Sequence, residues 1–175
     1  NAYEIQALDA SSGKRLWYWR APEYPASCMN RGAALLGDKI YFITGNCVLV
    51  ALDSMTGNLI WSKQYADPNL GYGSTVAPLA LKDRIVVGVS GGYNGVRGFL
   101  AAFSADSGKE LWRLWTIPVR GELGSGTWGP ASNHKIGGAA TWVTGSYDPD
   151  LNLVYWGTGA PWPPFEGHVR PGDNL

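Results

Sequence analysis

The side chains that ordinarily carry acid-base, nucleophilic or metal chemistry are few in this chain and stand apart from one another. There are two cysteines, Cys28 in a proline-rich loop and Cys47 in a strand-like run, and two histidines, His134 and His168, each in a loop. Thiols that hold a metal or a haem come at knuckle spacing or as Cys-x-x-Cys-His, and neither pattern is present. The two cysteines therefore read as free or buried thiols rather than as a disulfide. Neither histidine has a second histidine or a carboxylate at ligand spacing, so neither is assigned to a metal or to a catalytic pair. What the chain has in quantity is aromatic surface, nine Trp and nine Tyr. An indole is a large, flat, mostly apolar body with one N–H donor, suited to sit between two sheets and bond a neighbouring backbone carbonyl.

Three of the tryptophans close the same eleven-residue phrase. It runs Ala7-Leu8-Asp9-Ala10-Ser11-Ser12-Gly13-Lys14-Arg15-Leu16-Trp17, then from Ala51-Leu52-Asp53 through Thr56-Gly57 to Trp61, then from Ala102-Phe103-Ser104 through Ser107-Gly108 to Trp112. The copies begin 44 and 51 residues apart, and a period of roughly 40 to 50 residues is the signature of a propeller or solenoid. Within each copy a strand runs into a turn whose Asp can accept from backbone amides. The Gly supplies positive φ, and a second strand then carries the Trp.

Further strand-like runs, short and rich in β-branched and aromatic residues, span 39–43, 48–52, 59–63, 84–89, 99–103, 110–115, 139–144 and 153–157. Turns such as Leu36-Gly37-Asp38 and Asp148-Pro149-Asp150 separate them. Gly makes up 24 of the 175 residues, about twice the usual share of roughly 7%, and helical periodicity is nowhere sustained. The fold class expected is all-β, with about four short antiparallel strands per period. The stretch 118–136 lacks periodicity and reads as an excursion between blades. The stretch 159–168, dense in Pro and aromatics, reads as a rigid extended course in which Trp162 and Phe165 either floor a cavity or cover an open sheet end.

Lys plus Arg and Asp plus Glu are equal at 14 each, with no block of like charge, so the electrostatic footprint of a nucleic-acid or anionic-membrane binder is absent. No apolar run approaches the roughly 18 residues of a spanning helix, and no signal peptide is visible. Closed propellers have about four to eight blades, and three and a half phrases do not close a ring. The chain, 1–175, is therefore expected to be one partial propeller domain truncated at both ends.

The three phrases resemble the tryptophan-docking motif of the eight-bladed quinoprotein alcohol dehydrogenases, which use pyrroloquinoline quinone. More specific segments extend the resemblance over essentially the whole chain in the family's order. They are Met29-Asn30-Arg31-Gly32, Thr75-Val76-Ala77-Pro78, Ser90-Gly91-Gly92 with Gly95-Val96-Arg97-Gly98, Gly137-Gly138-Ala139-Ala140-Thr141-Trp142, Ser146-Tyr147-Asp148-Pro149 and Gly157-Thr158-Gly159. The resemblance implies three to four blades of a probable eight and a periplasmic address. It also implies an alcohol or related hydroxyl substrate, and a cytochrome c or quinone as electron acceptor.

It further implies a cofactor bed. Arg31 matches an arginine that pairs with a cofactor carboxylate and quinone oxygen, Thr75 and Ser90 match hydroxyl donors, and Trp142 matches the indole on which the quinone stacks. Gly91 and Gly92 let backbone come close. Read without the resemblance, Arg31 is a surface ion pair, Ser90 a turn residue and Trp142 a core residue. Calcium, the family's metal, is implied less well. Where the family has a carboxylate and an Asn, this chain has Tyr93-Asn94 and Ala160, leaving Asn94 as the one candidate ligand. The family's adjacent cysteine pair is replaced by Pro25-Ala26. The family's catalytic Asp falls beyond Leu175, so no catalytic residue is assigned. A non-catalytic propeller of the same ancestry, presenting its edges and loops to protein partners, is the competing reading.

Overall fold

A computed structural model describes residues 2–23, 29–128 and 137–174. Strands β1 (Glu4–Leu8) and β2 (Arg15–Arg20) form one hairpin. A four-stranded meander follows, made of β3 (Ala34–Leu36), β4 (Lys39–Ile43), β5 (Val48–Asp53) and β6 (Leu59–Gln64). A second comprises β7 (Leu79–Leu81), β8 (Arg84–Gly88), β9 (Phe99–Ser104) and β10 (Glu110–Trp115). Strands β11 (Ser146–Asp148) and β12 (Leu153–Tyr155) pair last. Each pairing is antiparallel between chain neighbours. β3 lies against β7 and β7 against β11, so the first strands of successive sheets are adjacent, as in blades arranged about a hub.

The repeated phrase forms the turns β1–β2, β5–β6 and β9–β10. In the middle copy, one Asp53 carboxylate oxygen accepts from the amides of Met55 and Thr56 at 3.1 and 2.8 Å and from the Thr56 hydroxyl at 2.7 Å. Asp9 does the same with the amides and hydroxyls of Ser11 and Ser12. In the third copy the Ser104 hydroxyl takes the role, accepting from the Ser107 amide at 3.3 Å.

These turns receive the tryptophans of the preceding sheet. Trp17 Nε1 donates to Ser54 O at 3.0 Å, and Trp61 Nε1 donates to Ala105 O at 3.1 Å. The glycine of the receiving turn is required twice over. Gly108 has φ 67°, and a Cβ there would lie 2.7 Å from Trp61 Cε3. At Gly57 the corresponding distance to Trp17 is 2.5 Å. A residue with a side chain would therefore be strained in its backbone and would drive the indole out of its seat.

Side chains alternate along each strand, and sheet stacking buries both faces of the central strands. Tyr41, Ile43, Leu49 and Ala51 of one meander meet Ile85, Val87, Phe99 and Phe103 of the next. The opposite faces bury Phe42, Val50 and Leu52 against Ile5, Trp17 and Trp19, and Val86, Leu100 and Ala102 against Tyr147, Val154 and Trp156. Burial on two sides is why β4, β5, β8 and β9 read in the sequence as nearly continuous apolar runs rather than as alternating ones.

Two expectations fail. Residues 139–144 do not form a strand. Positive φ at Gly138 (99°) and Ala139 (49°) breaks the pleat, and the segment is instead pinned by single bonds. Thr141 Oγ1 donates to Phe99 O at 2.6 Å and accepts from Val89 N at 2.9 Å. Phe165 neither floors nor covers anything, being 97% exposed at positive φ, whereas Trp162 is half-buried and its amide donates to Gly137 O. Of the excursion at 118–136, the described part is anchored by Glu122, which bonds the Val119 amide and pairs with Arg97. Its 3-10 turn Ser125–Trp128 buries Trp128 against Ile117 and Ala139. Residues 129–136, with His134, and residues 24–28, with Pro25, Ala26 and Cys28, lie outside the described set.

Two predictions follow from the turns. In the full-length protein, Gly108→Ala should destabilise by about 1–3 kcal/mol more than Gly37→Ala in denaturant unfolding. Both positions have positive φ, but a Cβ at Gly37 meets nothing within 4 Å, so equal effects would disprove the wedge. The Ser11 and Ser12 hydroxyls hold the Asp9 carboxyl down at about 2. A lowered folded value stabilises above the unfolded value of roughly 3.9, and that contribution is lost as pH falls towards about 2. Asp9→Asn should flatten this acid limb in a pH series of thermal midpoints.

Candidate functional site: a cavity at the hub end of the blades

Three candidate residues occupy equivalent places in successive sheets. Arg31 lies just before β3, Thr75 just before β7 and Trp142 just before β11, and these are the strands that adjoin one another. Because the first and second strands of a meander are antiparallel, the start of one and the end of the next share an edge. That places Ser90, Gly91 and Gly92, which follow β8, and Gly159 and Ala160, which follow β12, at the same end. All six residues expected to form a cofactor bed line one cavity of about 390 Å³, within the roughly 300–1,000 Å³ range of ligand pockets.

The bed is wired together. Arg31 Nη1 donates to Thr75 O at 2.8 Å, and the guanidinium carbon stands 4.9 Å from the centre of the Trp142 ring. The Thr75 hydroxyl lies 3.0 Å from the Ser90 hydroxyl and donates to Trp142 O at 3.3 Å. With its proton so committed, Thr75 Oγ1 accepts from Ser90. Thr75 is 7% exposed, while Trp142 keeps 44% of its surface open, more than a core indole would. Arg31 makes no ion pair among the described residues, so it is not a surface ion pair here.

The walls depend on glycine. A Cβ on Gly91, at φ 101°, would lie 2.3 Å from Gly71 O, and one on Gly92 would lie 3.1 Å from Ala140 Cβ. Ser90 is not merely a turn residue, because its amide donates to Gly73 O at 2.7 Å in a bridge that ties two blade segments.

Sequence reasoning missed the residues that aim the others. Asn30 donates to Ile43 O at 2.8 Å and accepts from the Gly32 amide at 2.7 Å, fixing the loop that presents Arg31. Thr141 and Thr144 clamp Trp142 from both sides, and Thr144 Oγ1 contacts the Ala77 amide and carbonyl at 3.0 and 2.7 Å. Met29 and Ala140 also line the cavity. Their only sequence signal was adjacency to Arg31 and Trp142. Neither Thr stands out in the sequence, since its bonds are to distant backbone.

The donor set decides what fits. A guanidinium fork, two hydroxyls and an open indole face suit a planar, carboxylated aromatic. A hard cation is served poorly. Tyr93, Asn94 and Ala160 all line the cavity, yet they offer a phenol, one neutral amide and a methyl. Asn94 has its amide nitrogen engaged on Gly71 O at 2.8 Å. Among the described residues no cluster of three or more His, Cys, Asp or Glu side chains is placed to hold a metal. Calcium takes six to eight oxygens, with carboxylates carrying much of the charge, and the residues present do not supply them. Cys47 is free and buried, and burial pushes its thiol up to about 12, so it is inert.

Radial antiparallel sheets locked by indole wedges, with a cavity at the hub end, define a segment of a β-propeller. The chain matches the glucose/ethanol/alcohol dehydrogenase β-propeller domain over residues 1–175, and it belongs to that pyrroloquinoline quinone family. It is 39% identical over 193 residues to the quinoprotein alcohol dehydrogenase PedH of Pseudomonas putida, covering 98% of this chain and 32% of that protein. It is 40% identical over 190 residues to the quinohemoprotein alcohol dehydrogenase ADH IIB of Pseudomonas putida, covering 98% and 28%. A solved europium-containing methanol dehydrogenase superposes with a TM-score of 0.86 at 33% identity, covering 98% of this chain and 34% of that one. The chain thus spans about a third of the length of these relatives.

Gly91→Ala should destabilise the protein by about 1–3 kcal/mol. Gly126→Ala, where a Cβ meets nothing, should stay within about 0.5 kcal/mol. Urea unfolding of both variants checks this.

Proposed function

We propose that this chain forms the cofactor bed of a pyrroloquinoline quinone-dependent dehydrogenase that oxidises an alcohol or related hydroxyl substrate. The observation that carries the reading is the convergence of Arg31, Thr75, Ser90, Gly91, Gly92 and Trp142 on one cavity from four separate segments. A scaffold propeller has no use for an exposed indole beside a guanidinium that lacks an ion-pair partner among the described residues. The names of the relatives, alcohol dehydrogenases, support the substrate class.

When bound, the quinone would supply the hydride acceptor for alcohol oxidation. The chain's own part is to bind and orient. Arg31 offers two parallel N–H donors to a carboxylate or to adjoining oxygens, with a geometry that a Lys would not reproduce. Trp142 gives a plate, and Thr141 and Thr144 pin the backbone on either side of it. Ser90 and Thr75 present hydroxyls that can reorient towards ligand oxygens, and Gly91 and Gly92 admit a flat edge close to backbone. The same reading puts the protein in the periplasm, delivers its electrons to a cytochrome c or a quinone, and makes residues 1–175 one partial propeller domain. No helix among the described residues is long and apolar enough to cross a membrane.

Reconstitution of the full-length protein with pyrroloquinoline quinone should give one bound quinone per chain by absorbance after desalting. Trp142→Ala should weaken binding by about 5- to 150-fold, as lost stacking of about 1–3 kcal/mol requires. No retained quinone in the wild type would contradict the proposal.

A further inference from the structure

The cavity has a charge balance of its own. Among the residues that line it, Arg31 is the one charged side chain, and no carboxylate faces in. Its guanidinium is held at the cavity by Thr75 O and the Trp142 ring, without an ion-pair partner among the described residues. A divalent or trivalent cation placed there would meet a like charge on Arg31 and would find no anionic ligand among the described residues that line the cavity. An anion meets the reverse situation, since a lone cation at the wall is neutralised by it.

From this we infer that the cavity holds its planar polycarboxylate directly, with Arg31 as the counter-charge and no metal ion interposed between the ligand and this chain. The inference rests on the cofactor reading above. It sets this chain apart from a relative such as the one solved as a europium-containing methanol dehydrogenase. The residues standing where such ligands would be needed supply no carboxylate. Tyr93 brings a neutral phenol to the cavity wall, Asn94 a single neutral amide whose nitrogen is tied to Gly71 O, and Ala160 has no donor atom besides its backbone carbonyl, which accepts from the Ala139 amide at 2.8 Å.

The test is a titration of the full-length protein with pyrroloquinoline quinone, followed by tryptophan fluorescence and calorimetry. It is run after exhaustive EDTA treatment and again with added calcium or lanthanum. Binding in EDTA is expected, with a dissociation constant that either metal changes by less than about threefold. Elemental analysis should find less than a tenth of an equivalent of metal in the complex. Arg31→Gln should weaken binding at least tenfold under both conditions. Binding seen only with added metal, or tightened tenfold or more by it, would overturn the inference while leaving the cofactor reading intact. No binding under any condition would overturn the cofactor reading and this inference with it.

Discussion

The structure depends on the seating of an indole from one sheet on the turn of the next. Trp17 on the Asp53–Gly57 turn and Trp61 on the Ser104–Gly108 turn each combine an N–H···O bond with ring-on-glycine contact. A single four-stranded meander exposes two apolar faces and cannot be stable alone. Neighbours must cover both faces at a fixed spacing and rotation. The wedge ties the two sheets together, because each indole bonds a carbonyl of the receiving turn and packs on that turn's glycine. The buried Tyr41 hydroxyl reinforces the joint by donating to the same Ala105 carbonyl as Trp61, at 2.9 Å.

With the sheets fixed in this way, the hub end becomes a place where corresponding residues of different blades must meet. Arg31, Thr75 and Trp142 each precede the first strand of a blade, so a cation, a hydroxyl and an aromatic plate are contributed one per blade. Precision comes from the bonds beneath them. Asn30, Thr141 and Thr144 each satisfy two backbone or side-chain partners and leave their neighbour free to face the cavity. Close backbone approach at Gly91 and Gly92 sets the depth of the wall.

The sequence exposed the outer half of this architecture well and the inner half poorly. The Asp, Gly and Trp of the repeated phrase announce themselves because turn chemistry and wedge contact both demand particular residue types. Strands such as Val48–Asp53 and Phe99–Ser104 are legible because burial on two faces leaves long apolar runs. The hub strands β3, β7 and β11 have three residues each, too short to display a period. The run at 139–144 has the composition of a strand, but two successive positive φ values ahead of Thr141 turn it into a pinned loop. The candidate bed could be named only through resemblance, since its members lie far apart in the chain. Asn30 and Thr141 stand inside the segments that carry the resemblance, yet neither they nor Thr144 could be given a role, because nothing local distinguishes a Thr or Asn that bonds distant backbone.

The central claim is that Trp142 and Arg31 form the plate and clamp of a planar-anion site. A crystal structure of the full-length protein soaked with pyrroloquinoline quinone tests it most directly. The account predicts the tricyclic ring lying parallel to the Trp142 indole at van der Waals separation, with a ligand oxygen within hydrogen-bond distance of the Arg31 guanidinium. A quinone bound elsewhere, or a Trp142 face covered by another part of the protein, would contradict it.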